Sequence, residues 1–228
     1  SGITFANDGT LFLLGNFPVG KYTVLRIRKG VPKNDGSDER VWSTVAESEP
    51  YPLAGIFDHL FNAIVVSPDQ QHLFIQAGAR GNHGEEESNE GAFPGLRGVA
   101  LSSVILRLPI DADNIRLLND EAALRTAGYY YAAGFRNTYS MAFAPDGELF
   151  GVENSGDRDD NEEMNWIREG HHYGFPWRIG TNDNPQRFPG YDPNTDPLVN
   201  KKFSAYVRGL FHDDPDFPLP PAGVTFTD

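Results

Sequence analysis

The sequence predicts an all-β domain, and the prediction rests on three features. Turn-forming Gly and Pro are frequent, at 24 and 17 of the 228 residues, and aromatic residues make up 12% of the chain. Short runs alternate between apolar and polar residues, as in Tyr22–Arg28, which is the period of a half-buried strand. Asp-Gly or a related pair separates several of these runs, and such pairs are typical of hairpin turns.

One hairpin formula recurs along the chain. It reads ITFANDGTLFLL at 3–14, IVVSPDQQHLFI at 64–75 and MAFAPDGELFGV at 141–152, and a fourth copy begins with VTFTD at 224–228. A hairpin repeated at long intervals indicates propeller blades with inserted loops, in preference to an antiparallel protein with several unrelated hairpins. The turn aspartates, which are 61, 77 and 82 residues apart, are Asp8, Asp69, Asp146 and Asp228.

The chain holds about three blades, and three blades cannot close a ring because propellers have about four or more. Since the fourth copy stops in mid-strand, we expect residues 1–228 to be a single domain that is roughly half of a larger propeller. An open blade edge exposes an unpaired strand. We therefore expect the missing propeller half, or a second copy of the chain, to cover that edge.

The segments between the hairpins carry further expectations. Residues 104–109 predict a strand, and residues 120–125 predict a helical turn. The Gly- and Glu-rich stretch 79–98 is too long for a plain connector, which indicates a functional or flexible loop with Glu85–Glu87 in solvent. Residues 178–222 are rich in Pro, Asn and Asp and predict a long crossing loop, with short strands near 203–207.

Charge and composition exclude several classes of function. The formal net charge is −13, so the chain would repel phosphate backbones, and nucleic acid is excluded as a partner. There is no cysteine, and therefore no disulfide framework or thiol chemistry. No apolar run approaches the ~20 residues that a membrane span needs.

The stretch 134–177 organises the rest of the chain. Arg136-Asn137 stands near its start, and the third hairpin follows. The polar loop Glu153–Asp157 comes next, with further acidic residues after it, and the stretch closes with YGFP at 173–176. A strand that ends in a dense set of oxygen donors is a natural place for a hard cation. The alternative, a solvated acidic loop, stays open on these residues alone.

Several motifs together resemble one family. The motifs are GFRN at 134–137, ENSG at 153–156, EMNWI at 163–167 and GHHYGFP at 170–176, with Asp58-His59 and VILRLP at 104–109 before them. They resemble the glucose/sorbosone dehydrogenases, which are soluble quinoprotein sugar dehydrogenases. The resemblance implies a six-bladed propeller that binds pyrroloquinoline quinone (PQQ) and calcium and oxidises an aldose sugar by hydride transfer. It also implies a periplasmic or secreted location.

The resemblance assigns roles to individual residues of this chain. His59 would be the general base that takes the hydroxyl proton, and Asp58 would tune or orient it. A histidine suits that role because it titrates near neutral pH. The cofactor contacts would come from Arg136, Asn137 and Asn154, and the calcium contacts from Ser155, Gly156 and Glu153.

Three departures from the family pattern accompany these roles. Leu60-Phe61-Asn62 replaces a glycine-containing pattern after the histidine, which would narrow a polar sugar pocket. Ser155-Gly156 stands where the family often has Gly-Pro, which is harmless if only backbone carbonyls bind the calcium. Two extra residues in the 155–161 loop leave Glu162 as the nearest counterpart of an acidic loop residue. Asn82 and His83 lie where the family places polar substrate contacts.

Two further functions stay open at this stage. One is a non-catalytic propeller that binds a partner or a carbohydrate, which an apolar, filled pocket around Leu60-Phe61 would favour. The other is a calcium-dependent, lactonase-type propeller, in which side chains would bind the calcium. The pair Glu153-Asn154 could supply such ligands.

Overall fold

A computed structural model describes residues 1–55 and 58–227, and strands and loops make up nearly all of it. The first sheet contains six strands: β1 (Gly2–Phe5), β2 (Leu11–Val19), β3 (Tyr22–Pro32), β4 (Arg40–Ser48), β5 (Tyr51–Pro52) and β9 (Ile115–Leu117). Strands β1 to β4 are antiparallel neighbours in chain order. The short β5 pairs with β3, and the short β9 lies parallel to β4.

Two further antiparallel sheets and one short hairpin follow. The second sheet contains β6 (Phe61–Val66), β7 (His72–Ala77), β8 (Val104–Pro109) and β10 (Tyr130–Ala133). The third sheet contains β11 (Thr138–Phe143), β12 (Leu149–Glu153) and β13 (Glu163–Ile167), and the hairpin is formed by β14 (Arg178–Ile179) and β15 (Asn182–Asp183). All three complete hairpins of the predicted repeat are confirmed.

The three hairpin turns share one hydrogen-bonding pattern, which explains why the formula repeats. In each turn the aspartate side chain accepts a hydrogen bond from the backbone N–H two residues later, at 2.8 Å for Asp8, 3.0 Å for Asp69 and 3.2 Å for Asp146. The next residue is left-handed in all three: Gly9 in the first turn, Gln70 in the second and a glycine in the third. Asp thus fixes the turn locally, and glycine suits the following position.

The sheets are arranged as successive blades. Strand β6, the first of the second sheet, contacts both β1 and β11, which are the first strands of their own sheets. One apolar core lies between sheets one and two and contains Phe12, Ile27 and Phe61, while a second lies between sheets two and three and contains Phe74 and Leu149. Each such buried side chain contributes about 1.5–3 kcal/mol. The predicted all-β architecture of three blades is confirmed.

The helices are short. Helix α1 (Glu121–Thr126) is capped by Asp120, whose side chain accepts from Ala123 N, and this confirms the predicted helical turn. A 3₁₀ turn spans Pro185–Arg187. No helix in residues 1–55 and 58–227 is long and apolar enough to cross a membrane.

The prediction of short strands near 203–207 is wrong. That stretch forms the single-turn helix α2 (Ser204–Val207), which buries Ala205. Ala205 packs with Val199 and Phe211 in a small core of the segment's own, and this packing outweighs the β-propensity of Phe203 and Val207.

The long segment 178–222 is fastened to the loops of the blades. Arg97 and Asp214 form a two-pronged ion pair at 2.6 and 3.2 Å. Arg158 donates to Asp196 at 2.8 Å, and the backbone N–H of Ala205 donates to Asp157 at 3.1 Å. The segment therefore covers the end of the molecule at which these loops lie.

The fourth copy of the repeat is only partly described. Phe226 forms an isolated parallel bridge to His172. Asp228, the expected turn residue, lies outside the described residues.

Candidate active site

The predicted site residues gather at one edge of sheets two and three. His59 lies just before β6, and residues 78–87 follow the antiparallel neighbour β7, so both belong to the same edge. In the third sheet, Arg136 precedes β11 and Asn154 follows β12, which again places them side by side. The antiparallel pairing of the hairpins thus brings distant residues together.

His59 is held by a single carbonyl group. Its backbone N–H and its ring Nδ1 both lie within hydrogen-bond distance of the Ala79 carbonyl oxygen, at 3.1 and 3.0 Å. Burial, and then the positive charge of Arg136, lower the pKa of His59 to about 4, while the hydrogen bond to Ala79 and the charge of Glu85 act in the opposite direction. The imidazole is therefore neutral at neutral pH.

Asp58 orders the backbone around His59. One of its carboxylate oxygens accepts from Ala54 N at 2.6 Å, and the other accepts from Leu60 N at 3.2 Å. Burial raises the pKa of Asp58. These bonds suit a role in fixing the loop that carries His59. A direct role of Asp58 in tuning the imidazole stays a prediction.

The two residues after His59 differ in character. Leu60 has a φ of +48°, a left-handed conformation that costs a non-glycine residue about 1–2 kcal/mol, and this explains why a glycine pattern suits the position. Phe61 is 1% exposed and packs edge-on against Tyr51 inside the first core. Its ring therefore fills the core between blades.

Arg136 is a buried cation that joins two loops. Its Nε donates to the Asn82 carbonyl at 2.6 Å, its Nη1 donates to the Asn154 carbonyl at 2.9 Å, and its Nη2 donates to the Asn82 side-chain oxygen. A guanidinium carries five N–H donors. Two of them therefore have no partner among residues 1–55 and 58–227, and these two are the ones that a cofactor carboxylate could use.

A row of side-chain amides lies beside Arg136. Asn62 donates to Asn137 at 2.6 Å, and Asn137 donates to Asn154 at 2.7 Å. Within the described chain, two buried amide atoms near Arg136 lack hydrogen-bond partners, namely the oxygen of Asn62 and the nitrogen of Asn82. A buried amide without a partner is costly, so these atoms are suited to a polar ligand. The sequence had not singled out Asn62 as a contact.

Glu153 is turned towards the protein interior. Its carboxylate accepts from Arg136 N at 2.9 Å and from the Thr138 hydroxyl at 2.8 Å. Burial, and then the nearby charge of Glu163, raise the pKa of Glu153 to about 7. A carboxylate that is engaged in this way is poorly placed to bind calcium. The metal-binding role of Glu153 stays a prediction, and these contacts do not favour it.

The calcium-binding role of Ser155 and Gly156, which would use their backbone carbonyls, stays a prediction. The Asn154 amide donates to the Ser155 carbonyl at 3.2 Å. A Cβ on Gly156 would lie 2.9 Å from the Asn82 side-chain oxygen, so the two loops are in close contact there. Among the described residues, no three acidic or histidine side chains are grouped to hold a metal. Carbonyl oxygens are ordinary calcium ligands. The carbonyls of Ser155 and Gly156 would fill only two of the ion's coordination positions, so other donors would have to fill the rest.

The expectation that Glu85–Glu87 is solvated is wrong for two of its three residues. Glu85 and Glu87 are 6% and 8% exposed, while Glu86 is exposed. The segment 178–222 covers this loop: Asn184 donates to the His83 carbonyl at 2.6 Å. Phe211 stacks on the His83 ring with the centroids 4.8 Å apart.

The profile of the family described as glucose/sorbosone dehydrogenase matches residues 4–206, which is most of the chain. The chain belongs to the glucose/sorbosone dehydrogenase family. No significant match was found among curated proteins.

Three solved structures are similar to the chain. They are the PQQ-bound aldose sugar dehydrogenase of Streptomyces coelicolor (20% identity, TM-score 0.45), the PQQ domain of pyranose dehydrogenase from Coprinopsis cinerea (12%, 0.47) and an oxidoreductase, a glucose dehydrogenase, from Thermus thermophilus (19%, 0.44). The matches cover 78%, 77% and 81% of this chain. They cover 47%, 53% and 66% of those structures, so the chain spans about half to two thirds of their length.

The residues of this family member fit the cofactor that its family resemblance implies. Arg136 retains two N–H donors, and the unpartnered amide nitrogen of Asn82 belongs to the side chain whose oxygen binds its guanidinium. The unpartnered amide oxygen of Asn62 lies in β6, where the same side chain donates to Asn137. A site that combines a guanidinium with amide donors and acceptors suits a planar, polar molecule that carries carboxylates.

Proposed function

We propose that the protein oxidises an aldose sugar at a CH–OH group, with PQQ as the electron acceptor and calcium as its companion ion, and that His59 is the general base. The observation that carries this proposal is the hydrogen bond between His59 Nδ1 and the Ala79 carbonyl oxygen, at 3.0 Å. It places a neutral imidazole of defined tautomer beside Arg136 and the row of amides.

The tautomer follows from the chemistry of the partner. A carbonyl oxygen can only accept a hydrogen bond, so the proton of the neutral ring is on Nδ1, and Nε2 keeps its lone pair. With a pKa of about 4, His59 is deprotonated through the neutral range, although it is then a weaker base than the near-neutral histidine that the sequence predicts. Nε2 is then free to take the proton of a sugar hydroxyl, which is what a general base must do.

The cofactor would be held by groups with separate tasks. PQQ supplies the quinone that accepts the hydride leaving the sugar carbon. The two remaining N–H donors of Arg136 would bind one of its carboxylates, and Asn137 and Asn154 would hydrogen-bond its polar edge. The carbonyls of Ser155 and Gly156 would contribute to the calcium site. His59 Nε2 would take the proton of the sugar hydroxyl, separately from the group that accepts the hydride.

Cofactor titration tests the proposal. The full-length protein in calcium buffer is titrated with PQQ while the absorbance of the cofactor is followed, and an aldose is then added. We expect binding, followed by reduction of the bound cofactor. His59→Ala should bind PQQ normally and lose about 10²–10⁴-fold in reduction rate, which is the usual contribution of a general base. His212→Ala is the matched control because His212 is exposed and its ring is hydrogen-bonded to the carbonyl of the adjacent Asp213.

The possible results separate the interpretations. Reduction that is lost in His59→Ala and kept in His212→Ala supports the dehydrogenase. Absence of PQQ binding at micromolar cofactor, in the presence of calcium, refutes it. The alternative of a recognition propeller was motivated by a pocket filled by Leu60 and Phe61. Because Phe61 packs in the core, that motivation is weakened.

The partners and the location of the protein remain predictions. The outer faces of the first and third sheets expose Ile3, Phe5, Met164 and Trp166. Further blades or a second copy of the chain would cover such faces. A periplasmic or secreted location rests on the resemblance alone.

A further inference from the structure

Glu85 makes an unusually complete set of contacts for a residue in an acidic run. One of its carboxylate oxygens accepts from Asn82 N and the other from His83 N, both at 2.7 Å. A Cβ on Gly81 would lie 2.7 Å from the second oxygen, so the loop closes around this carboxylate only because residue 81 is glycine. Glu85 therefore fixes the conformation of the Gly81–Glu85 turn.

This turn is the support of Arg136. The carbonyl and the side-chain oxygen of Asn82 both accept from the guanidinium, through Nε at 2.6 Å and through Nη2. Arg136 in turn accepts, through its own carbonyl, a hydrogen bond from Ala79 N at 2.7 Å. The Ala79 carbonyl is the partner of His59 Nδ1. An unbroken series of hydrogen bonds thus runs from Glu85 through Asn82, Arg136 and Ala79 to His59.

Other roles for Glu85 fit its contacts poorly. Both oxygens accept from backbone amides, so neither is available to exchange a proton with substrate. Burial opposes ionisation, but the neighbouring His83 and the two amide bonds lower the pKa of Glu85, so the side chain is charged at neutral pH. His83 lies against it, with Nδ1 3.3 Å from the nearer oxygen. The side chain is thus a fixed, buried negative charge.

We propose that Glu85 is a positioning residue for the reaction proposed above: its carboxylate fixes the turn that orients Arg136, and through Arg136 and the Ala79 carbonyl it orients His59. The catalytic part of this inference rests on the proposed function. The structural part, the link from Glu85 to His59, stands on the hydrogen bonds alone.

The charge of Glu85 affects the pKa of His59, and this effect can be measured. The charged groups that face His59 are Arg136, which lowers the pKa of His59, and Glu85, which raises it. Removal of the Glu85 charge leaves Arg136 unopposed. The midpoint of the His59 titration should then move to lower pH.

The test compares Glu85→Gln with Glu86→Gln. Both variants remove one negative charge from the same run, but Glu86 is exposed, and the hydrogen bond that its side chain accepts among the described residues is from Gly95 N, at 2.6 Å. The ring signals of His59 are followed by NMR in cofactor-free protein as the pH is lowered from neutral. We expect the His59 midpoint to shift to lower pH in Glu85→Gln and to stay in place in Glu86→Gln. The rate of cofactor reduction should fall about tenfold or more in Glu85→Gln alone.

The outcomes separate this inference from the proposed function. An unchanged His59 midpoint and unchanged reduction rate in Glu85→Gln overturn the inference and leave the dehydrogenase intact. A wild-type protein that fails to bind PQQ refutes the function, and the His59 titration still decides the link. Should Glu85→Gln fail to fold, amide exchange in the wild type decides instead: slow exchange at Asn82 and His83 supports the link, and exchange as fast as at the loop glycine Gly91 overturns it.

Discussion

Replacing Gly78 with alanine tests whether the end of β7 sets the position of His59. A Cβ on Gly78 would lie well under 3.0 Å from the His59 Cβ and 3.2 Å from the Leu60 carbonyl oxygen. Because carbon atoms in contact are normally about 3.5–4.0 Å apart, His59 must move by roughly 1 Å. The strand cannot simply retreat, since Gly78 N donates to the Leu60 carbonyl at 2.7 Å.

We expect Gly78→Ala to lower the free energy of unfolding by about 1–3 kcal/mol, which is the usual cost of overpacking. A shift of ~1 Å at a reacting group costs about 10²-fold in rate, so PQQ-dependent sugar oxidation should fall by that factor. Urea denaturation and the oxidation rate measure the two effects. Gly98→Ala is the control because its Cβ would meet only the Ser102 hydroxyl, at 3.6 Å. If Gly78→Ala were as stable and as active as Gly98→Ala, the assigned position of His59 would be refuted.

Three further predictions concern stability. The pKa of Glu153 is raised from 4.5 to about 7 in the native state. Between these two pH values the native state holds a proton that the unfolded state has released. The contribution of Glu153 to the free energy of unfolding therefore falls as the pH rises from about 4.5 to about 7. Glu153→Gln should remove that dependence, on the order of 3 kcal/mol, in denaturation at pH 5 and pH 8. Asp214→Asn breaks the pair with Arg97 and should cost about 1.5–3 kcal/mol and speed hydrogen exchange in residues 204–217. Gln70→Val should cost about 1–2 kcal/mol because a β-branched residue is strained at the φ of +58°. Gln70→Gly should stay within about 1 kcal/mol of the wild type, because the relief of backbone strain offsets the loss of the hydrogen bond from Asn7 N. Thermal melts compare the two variants.

The sequence predicts the hairpins well because their determinants are local. In the turn at Asp146, the side chain accepts from a residue two positions away, and the alternating strands follow directly. The motif residues His59, Arg136 and Asn154 also lie in one site, because each stands at the end of a strand whose neighbour is the next strand in the chain.

The contacts that decide the role of Glu85 are of another kind. The sequence of its loop is polar and acidic, and such residues are usually exposed on the surface. The residues that cover it are distant in sequence: Asn184 is 101 positions from His83, whose carbonyl it binds. The signal that could have revealed the burial is Gly81, since a glycine within a polar loop can indicate a close approach of backbone and side chain.

Arg136 combines two roles that are usually assigned to different residues. Burying a guanidinium costs several kcal/mol unless it is paired and hydrogen-bonded. Here the direct partners are neutral oxygens of Asn82 and Asn154, and the balancing charges, chiefly Glu153 and Glu85, lie around the group and raise its pKa against the effect of burial. Three N–H donors hold the loops in place, so a ligand carboxylate that binds the other two would displace no existing bond. One guanidinium cannot neutralise the three carboxylates of PQQ. In the proposed enzyme, calcium would therefore supply part of the remaining positive charge.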